Sequence, residues 1–276
     1  MIIFDGREFA RAKEEAIKQT VDEFKRRGIV PKMLSILGDN SPESELYVSL
    51  KGQFAKRVGI EFEIHHFEPI ENAQRLIANI TRANQDPAIH GIMVQLPVTE
   101  PQILEAISPA KDVDCLTSEN LGLLLKREPR FLPATVRAVL SIIENSEFKL
   151  PGADVCIVGA SNIVGKPLAI ILSDEGATVT LCRSTANNLP EITRKADILI
   201  SATGAPQLIK ENMVKEGAMV IDVGISKLLR EGRYKVVGDV EVEASRVASF
   251  ITPVPGGVGP VTVACLFENL LTAING

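Results

Sequence analysis

The chain has 276 residues, of which 45% are hydrophobic and 24% are charged, and its formal net charge is −5. This length is sufficient for two domains with separate cores, and the acidic balance argues against the basic surface of a nucleic-acid-binding protein. We find no apolar run long enough to span a membrane and no secretory signal at the start of the sequence.

The cysteines and histidines carry no recognisable ligand or redox pattern. The cysteines are widely spaced and form no Cys-x-x-Cys pair, so we expect reduced thiols in a cytoplasmic protein. The histidines lack metal-ligand spacing, and we expect no metal site. The residues concerned are Cys115, Cys156, Cys182, Cys265, His65, His66 and His90.

The first half of the chain alternates helical and strand patterns. Apolar periodicity predicts helices over residues 7–27, from Ser41 or Ser44 as the cap to residue 58, and over residues 72–83. Short apolar segments predict strands over residues 32–37, 61–67 and 89–96. Such alternation is typical of a mostly parallel sheet that binds ligands at the carboxyl ends of its strands.

The pattern loosens between residues 108 and 133, and a helix over 135–145 leads into a second α/β domain. Strands are predicted there over residues 155–158, 178–182, 198–202, 219–223, 236–240 and 249–252. A final helix over 262–275 is expected to pack back on the first domain. We therefore expect a catalytic domain of residues 1–138 with 256–276 and a Rossmann-like domain of residues 139–255, with the ligands in the cleft between them.

The segment from Asp154 to Leu172 reads as strand, glycine turn and helix. Gly159 follows the apolar strand, small residues occupy the turn, and Gly165 opens the helical pattern. Glycine permits close approach of the backbone to a pyrophosphate, and the helix N-terminus offers free N–H groups. Because the spacing is Gly-x-x-x-x-x-Gly, an ordinary strand-to-helix turn remains an alternative.

The end of the next strand indicates which dinucleotide would bind. A site for NAD usually places a carboxylate there to bind the ribose hydroxyls. This chain has instead Arg183 and Ser184, a cation and a hydroxyl suited to a 2′-phosphate. We therefore favour NADP, with a solvated surface arginine as the alternative.

Several polar residues outside that segment are candidates for chemistry. Tyr47 and Lys51 lie four residues apart in a predicted helix and share a face, with a surface lysine beside a half-buried tyrosine as the alternative that the local sequence favours. Gln95 closes the third strand. Asp112 and Asp114 bracket one residue of a loop, and either could simply form a turn. Pro255, Gly256 and Gly257 permit backbone conformations suited to close contact with a ring.

Taken together, these features resemble the bifunctional methylenetetrahydrofolate dehydrogenase/cyclohydrolase family over nearly the full length. The matching motifs, in chain order, are Asp5-Gly6, Tyr47-Val48-x-x-Lys51, Gly59-Ile60, Gly91-Ile92-Met93-Val94-Gln95-Leu96-Pro97, Pro109-x-Lys111-Asp112-Val113-Asp114, Val158-Gly159-x-Ser161-Asn162-Ile163-Val164-Gly165-Lys166-Pro167, Ser201-Ala202-Thr203-Gly204, Ile221-Asp222-Val223-Gly224-Ile225, Gly238-Asp239-Val240 and Thr252-Pro253-Val254-Pro255-Gly256-Gly257-Val258-Gly259-Pro260.

The resemblance implies a homodimeric enzyme that oxidises 5,10-methylenetetrahydrofolate with NADP+ and hydrolyses the methenyl product to 10-formyltetrahydrofolate. Lys51 would be the central catalytic residue with Gln95 bonded to it, Tyr47 would cover the pterin, and Asp114 would hold the pterin's polar edge. The cofactor would be bound by Gly159, Ala160, Ser161, Arg183, Ser184 and Ile225. Gly256 and Gly257, with Pro255, would line the substrate side.

The chain departs from the family pattern at a few positions. Ala160 stands where the family often has an arginine that helps to bind the 2′-phosphate, and Cys115 stands after Asp114 where glycine is usual. Ala134 and Val261 replace a cysteine and a methionine. We expect Arg183 and Ser184 to carry the 2′-phosphate and Cys115 to alter the turn beside Asp114.

Two alternatives remain open at this point. One is another two-domain NADP-dependent oxidoreductase, such as an enzyme for a carbocyclic hydroxy acid, which would not need Tyr47, Lys51, Gln95 and Asp114 together. The other is a catalytically silent regulatory protein that binds the nucleotide without turning over a folate.

Overall fold

The computed structural model describes residues 1–37, 41–66, 73–98, 100–230 and 233–275. Two compact units emerge. The three-strand unit comprises Arg11–Ala134 with Val263–Gly276, and the six-strand unit comprises Met1–Ala10 with Thr135–Thr262. The sequence-based division places residues 1–10 in the first domain, whereas here they join the six-strand unit because Ile2 and Ile3 pair with Phe250 and Ile251.

The three-strand unit is built around a parallel sheet in the order β3-β2-β4. Its strands are β2 (Lys32–Leu37), β3 (Glu61–His66) and β4 (Gly91–Gln95), and its helices are α1 (Gly6–Arg26, which begins in the other unit), α2 (Pro42–Val58), α3 (Ala73–Gln85), α4 (Gln102–Glu105) and α5 (Ser118–Leu125). These elements confirm the predicted alternation, and α5 lies in the stretch where no regular pattern was recognised. Phe67 and Asn72, the ends of a predicted strand and helix, lie outside the described residues.

The six-strand unit holds a parallel sheet in the order β1-β11-β8-β7-β5-β6. Its strands are β1 (Ile2–Ile3), β5 (Asp154–Val158), β6 (Thr178–Cys182), β7 (Ile198–Ser201), β8 (Met219–Asp222) and β11 (Phe250–Ile251), and its helices are α6 (Ala134–Glu144), α7 (Gly165–Asp174) and α8 (Leu189–Thr193). The strand order reverses at β5, and such a reversal opens a crevice at the carboxyl end of the sheet.

The strand predicted over residues 236–240 does not join this sheet. Residues 236 and 237 instead end β10 (Arg233–Val237), which pairs antiparallel with β9 (Ser226–Arg230) in a separate two-stranded ribbon. The prediction was wrong because β9, with the sequence Ser-Lys-Leu-Leu-Arg, shows neither strict alternation nor a long apolar run, so the partner of β10 was not recognised.

The helix α9 (Val258–Asn275) begins four residues earlier than predicted. Its later part belongs to the three-strand unit, as expected: Phe267 stacks on Phe54 of α2 at 5.0 Å between ring centroids, and Leu270 and Leu271 join the same core. By length and composition α9 could cross a membrane, contrary to the expectation from sequence, but half of it is buried inside the protein. It is therefore built as a core helix.

Candidate active site

Lys51 is carried on the inward side of α2. The helix begins at Ser41, whose side chain accepts a hydrogen bond from the Ser44 N–H at 3.2 Å, which confirms one of the two predicted caps. Val48 and Ala55, three and four residues from the lysine, are buried. Lys51 shares their face and is itself half-buried, since residues at these spacings lie on one side of a helix.

The amine of Lys51 meets the end of β4. Its Nζ donates to Gln95 Oε1 at 2.9 Å, so the predicted pair is in direct contact. Burial lowers the pKa of Lys51 below its ordinary value, and the charge of Asp114 opposes that shift in part. A lysine of this kind loses its proton at a lower pH than a solvated lysine. The neutral amine that results can act as a general base.

Asp114 is the second titratable group of the site. Burial raises its pKa to about 6; the Lys51 cation and the Ala134 N–H act against this shift, and Asp112 adds to it. The site therefore pairs a lysine that loses its proton easily with a carboxyl that gains one easily. Such a pair is suited to moving protons near neutral pH.

Asp112 forms the turn that presents Asp114. Its buried carboxylate accepts hydrogen bonds from the Leu116 N–H at 3.0 Å, the Thr117 N–H and hydroxyl at 2.8 Å each, and Asn120 Nδ2 at 2.9 Å. The backbone next to it is joined to β4, because the Ile92 N–H donates to Lys111 O at 2.7 Å. The two aspartates thus divide into one structural residue and one site residue.

Cys115 continues this turn in a left-handed conformation, with φ of 57°. Glycine adopts that conformation without strain, whereas a residue with a Cβ does not. The thiol is buried, donates to Phe131 O at 3.4 Å, and has its pKa raised by burial. Cysteine therefore occupies a glycine conformation without displacing Asp114 from Lys51.

Tyr47 lies one turn before Lys51 in α2 and is half-buried. Its position on the helix places its ring on the same face as the lysine. The structure thus brings Lys51, Gln95 and Asp114 together in the three-strand unit and places Tyr47 beside them on the helix.

The predicted strand–turn–helix of the six-strand unit is present as β5, the turn 159–164 and α7. Gly159 has φ of +118°, and a Cβ there would overlap the Ala202 carbonyl oxygen; a Cβ on Gly165 would overlap Gly159 O. Ser161 Oγ accepts from the Val164 N–H at 3.2 Å, and Ala160 completes the turn. The backbone of the turn is therefore packed closely against the residue after β7 and against the first residue of α7.

The other predicted cofactor residues follow neighbouring strands. Arg183 and Ser184 come directly after β6 and are exposed, and Ile225 is exposed after β8. Pro255 is exposed, Gly256 has φ of +106°, and the Gly257 N–H donates to Pro253 O at 2.8 Å. These residues belong to the six-strand unit and follow its strands at their carboxyl ends, the edge at which such sheets bind ligands.

Two buried aspartates that received no role from the sequence join the ends of these strands. Asp222 accepts from the N–H groups of Gly224, Asp239 and Val240 at 2.9–3.0 Å. Asp239 Oδ2 accepts from the Ser201 hydroxyl at 2.9 Å and the Thr203 hydroxyl at 2.8 Å. Both follow apolar strand residues within motifs that carry the resemblance, which was the signal available for finding them.

The carboxylates of Asp222 and Asp239 explain why glycine is required at positions 224 and 238. A Cβ on Gly224 would overlap the Asp239 carboxylate, and one on Gly238 would overlap the Asp222 carboxylate. The backbone segment that carries Ile225 is thereby held against both acids. Among the described residues there is no cluster of His, Cys, Asp and Glu that could hold a metal ion. The four cysteines are buried and are not joined in disulfides.

Family models match both parts of the chain. Residues 4–114 match the catalytic domain of tetrahydrofolate dehydrogenase/cyclohydrolase, and residues 133–276 match its NAD(P)-binding domain. The bifunctional protein FolD of Bacillus subtilis is 44% identical over 272 residues, which cover 97% of this chain and 95% of that protein.

Solved structures of the same kind superpose over the whole chain. A FolD methylenetetrahydrofolate dehydrogenase/cyclohydrolase from Campylobacter jejuni has a TM-score of 0.94 at 40% identity and covers 98% of both chains. The FolD enzyme of Trypanosoma brucei, complexed with NADP cofactor and inhibitor, has a TM-score of 0.95 at 35% identity and covers 99% of this chain and 97% of that one.

Proposed function

Since the chain belongs to the tetrahydrofolate dehydrogenase/cyclohydrolase family, we infer that it catalyses two consecutive reactions on folate-bound one-carbon units. It is an enzyme that oxidises 5,10-methylenetetrahydrofolate to 5,10-methenyltetrahydrofolate with NADP+ and hydrolyses the methenyl form to 10-formyltetrahydrofolate. The observation that carries this conclusion is that both domain models match one chain in which Lys51 is hydrogen-bonded to Gln95.

Lys51 is the proton-transfer residue of the hydrolytic step. Water attacks the cationic methenyl carbon, a C–O bond forms, and neutral Lys51 takes the proton that the water loses. The C–N bond then breaks, the departing nitrogen receives a proton from Lys51, and the hydroxyl proton leaves as the formyl C=O forms. The lowered pKa of Lys51 supports this role because only the neutral amine can accept a proton.

The remaining residues near Lys51 bind the substrate. Gln95 fixes the position of the amine through its carbonyl oxygen. Tyr47 offers an aromatic face for the reduced pterin, and Asp114 accepts hydrogen bonds from the pterin's polar edge, as a carboxylate does. We propose that Pro255, Gly256 and Gly257 also line the substrate side.

The turn after β5 fits a dinucleotide. Gly159 and Gly165 stand where a Cβ would collide with backbone, so glycine is required for this close strand-to-helix turn. Gly159, Ala160 and Ser161 bind the pyrophosphate at the start of α7. Arg183 and Ser184 bind the 2′-phosphate; Ala160 has no charge, so Arg183 supplies the cation. Ile225 binds the nicotinamide amide through its backbone. When bound, NADP+ supplies the hydride acceptor.

Residue chemistry also separates this function from the two alternatives. An oxidoreductase for a carbocyclic hydroxy acid does not need Tyr47, Lys51, Gln95 and Asp114 together. A silent regulatory protein has no use for Lys51 and Asp114 with oppositely shifted pKa values. A protein that binds NADP but never turns over methylenetetrahydrofolate would restore the regulatory alternative.

The assembly is a cytoplasmic homodimer that contacts neither membrane nor nucleic acid. Support for the dimer comes from the ribbon of β9 and β10, where Leu229, Tyr234 and Val236 are exposed, since a large exposed apolar patch is typical of an interface. The net charge of −5 argues against nucleic acid. Sedimentation of the purified protein tests the dimer, and a monomer at micromolar concentration would contradict it.

A spectroscopic assay with Lys51→Met tests the mechanism. We expect the wild type to form the methenyl intermediate faster with NADP than with NAD. Lys51→Met should lower methenyl hydrolysis by about 100-fold or more, because general base catalysis contributes roughly that much, while the dehydrogenase step suffers less. The control is Lys56→Met, an exposed lysine of the same helix. Near-normal hydrolysis by Lys51→Met would contradict the role of the lysine.

A further inference from the structure

The amine of Lys51 has a second acceptor besides Gln95. Met93 Sδ lies 3.1 Å from Nζ. Met93 and Gln95 are two positions apart in β4, so both side chains point to the same face of the sheet. Met93 is 1% exposed and belongs to the core that includes Phe54 and Ala55 of α2. The thioether is therefore held against the lysine by the strand and by the core.

These two acceptors determine where the lysine's hydrogens point. A thioether sulfur and an amide oxygen only accept hydrogen bonds. The orientation of the Gln95 amide is fixed because its Nε2 donates to Leu96 O at 3.2 Å, which leaves Oε1 for Lys51. A neutral amine has two hydrogens and one lone pair in a tetrahedral arrangement. With one hydrogen on Gln95 and the other on Met93, the lone pair takes the remaining direction.

We propose that Met93 is a positioning residue for the hydrolytic step, in which its thioether, together with Gln95, aims the lone pair of neutral Lys51 at the substrate. This inference rests on the proposed function of Lys51 as the base. In the protonated form the same two contacts are kept, and the third N–H replaces the lone pair. Proton transfer then needs no rotation of the amine, and avoiding reorganisation favours catalysis.

The charges around Lys51 define how the lysine titrates. From the loop 112–117, the charge of Asp114 acts on the lysine and the charge of Asp112 acts on Asp114. From β4, the neutral side chains of Gln95 and Met93 contact the amine. Sulfur is a weak acceptor, but a hydrogen bond from an ammonium favours the charged form over the neutral one. Removing the sulfur should therefore lower the pKa of Lys51, whereas Asp114 should titrate as before.

The test is the pH dependence of methenyl hydrolysis in Met93→Leu. Leucine keeps the volume, so the fold is retained. We expect kcat to fall about threefold to tenfold, the loss that one modest hydrogen bond implies, with KM unchanged. The rise of the rate with pH should begin about half a pH unit lower. Met33→Leu is the matched control, since Met33 is fully buried in the same core on β2.

The outcomes separate this inference from the proposed function. If the wild type hydrolyses methenyltetrahydrofolate and Met93→Leu matches Met33→Leu in both kcat and pH profile, the positioning role is overturned. An equal loss in both variants would also overturn it, since that indicates packing alone. If the wild type hydrolyses no methenyltetrahydrofolate, the proposed function itself fails.

Discussion

At the scale of single residues, the loop 112–117 shows how position decides the role of chemically identical groups. Asp112 is surrounded by donors from its own turn, whereas Asp114 lies beside a cation and has a raised pKa. Lys111 donates to Ala83 O at 3.1 Å and Asp86 O at 2.7 Å, at the end of α3. Three charged residues within four positions therefore have three roles: Lys111 holds the end of α3, Asp112 forms the turn, and Asp114 belongs to the site.

Cys115 leads to a prediction about stability. We expect Cys115→Gly to be more stable than Cys115→Ala by about 1 kcal/mol, the cost of placing a Cβ in the left-handed conformation. Both variants remove the buried thiol, so their difference isolates the backbone effect. The free energy of unfolding in denaturant measures it. The usual preference for alanine, with Cys115→Ala equal or superior, would show that no strain is stored there.

The sequence predicted which residues form the site, but it did not predict the role of each one. The spacing of Tyr47 and Lys51 and the place of Gln95 at a strand end pointed to the correct side chains. Spacing could not separate Asp112 from Asp114, because the difference arises from Asn120 and Thr117, which approach only when the loop folds. It could not assign Met93 either, since an apolar strand residue is normally only core.

At the scale of elements, each site residue depends on how a helix or strand ends. α2 begins at the Ser41 cap and ends at the Gly59 cap. These two ends fix the position of Lys51 along the helix axis. β4 ends at Gln95, and β5 ends at the Gly159 turn. These boundaries were visible in the sequence because caps and glycines mark them. β9 was missed although Gly224 and Gly232 stand on either side of it, because Ser226–Arg230 has neither strict alternation nor a long apolar run.

The turn after β5 can be tested with matched glycines. Gly159→Ala should raise KM for NADP strongly and stop the dehydrogenase, because the new Cβ meets the Ala202 carbonyl in addition to straining φ. Gly152→Ala is the control, since Gly152 has φ of +80° but nothing within 4 Å of a Cβ. It should lose about 1 kcal/mol of stability and keep NADP binding.

Hydrolysis of added methenyltetrahydrofolate provides the internal check on that pair. Lys51 lies in the three-strand unit, so Gly159→Ala should keep this activity while oxidation is lost. Equal NADP binding by Gly159→Ala and Gly152→Ala would contradict the assignment of the turn to the dinucleotide.

At the scale of the whole molecule, the buried acids of the six-strand unit make folding sensitive to pH. Burial raises the pKa of Asp222 to about 7, Asp239 adds to the shift, and three backbone N–H groups oppose it. An unfolded aspartate titrates near about 4. Between these values the folded state binds more protons than the unfolded one, so this group's contribution to stability falls as the pH rises and is constant above about 7.

Asp222→Asn removes this titration. The free energy of unfolding of the wild type minus that of Asp222→Asn should therefore decrease from pH 4 to pH 7, by an amount on the order of 1–3 kcal/mol. Circular dichroism during denaturant titration at each pH measures both terms. A difference that stays constant over this range would show that Asp222 titrates in the folded protein as it does in the unfolded chain.

The fold class was recoverable from sequence because strands and helices alternate regularly in both halves of the chain. The grouping of residues 1–10 was not, since β1 is only two residues long and joins its sheet through Phe250 and Ile251, far along the chain. Asp222 and Asp239 illustrate the same difficulty, because the donors to their carboxylates come from separate segments between residues 201 and 240.

The arrangement of α9 has a consequence for synthesis on the ribosome. Phe54 and Met33 emerge early, but Phe267 and Leu270, which complete their core, are translated more than 200 residues later. Nascent residues 11–134 therefore keep apolar surface uncovered until residues 263–275 have been translated. The core of the three-strand unit is therefore completed late in translation. During that interval its exposed apolar surface can be bound by chaperones.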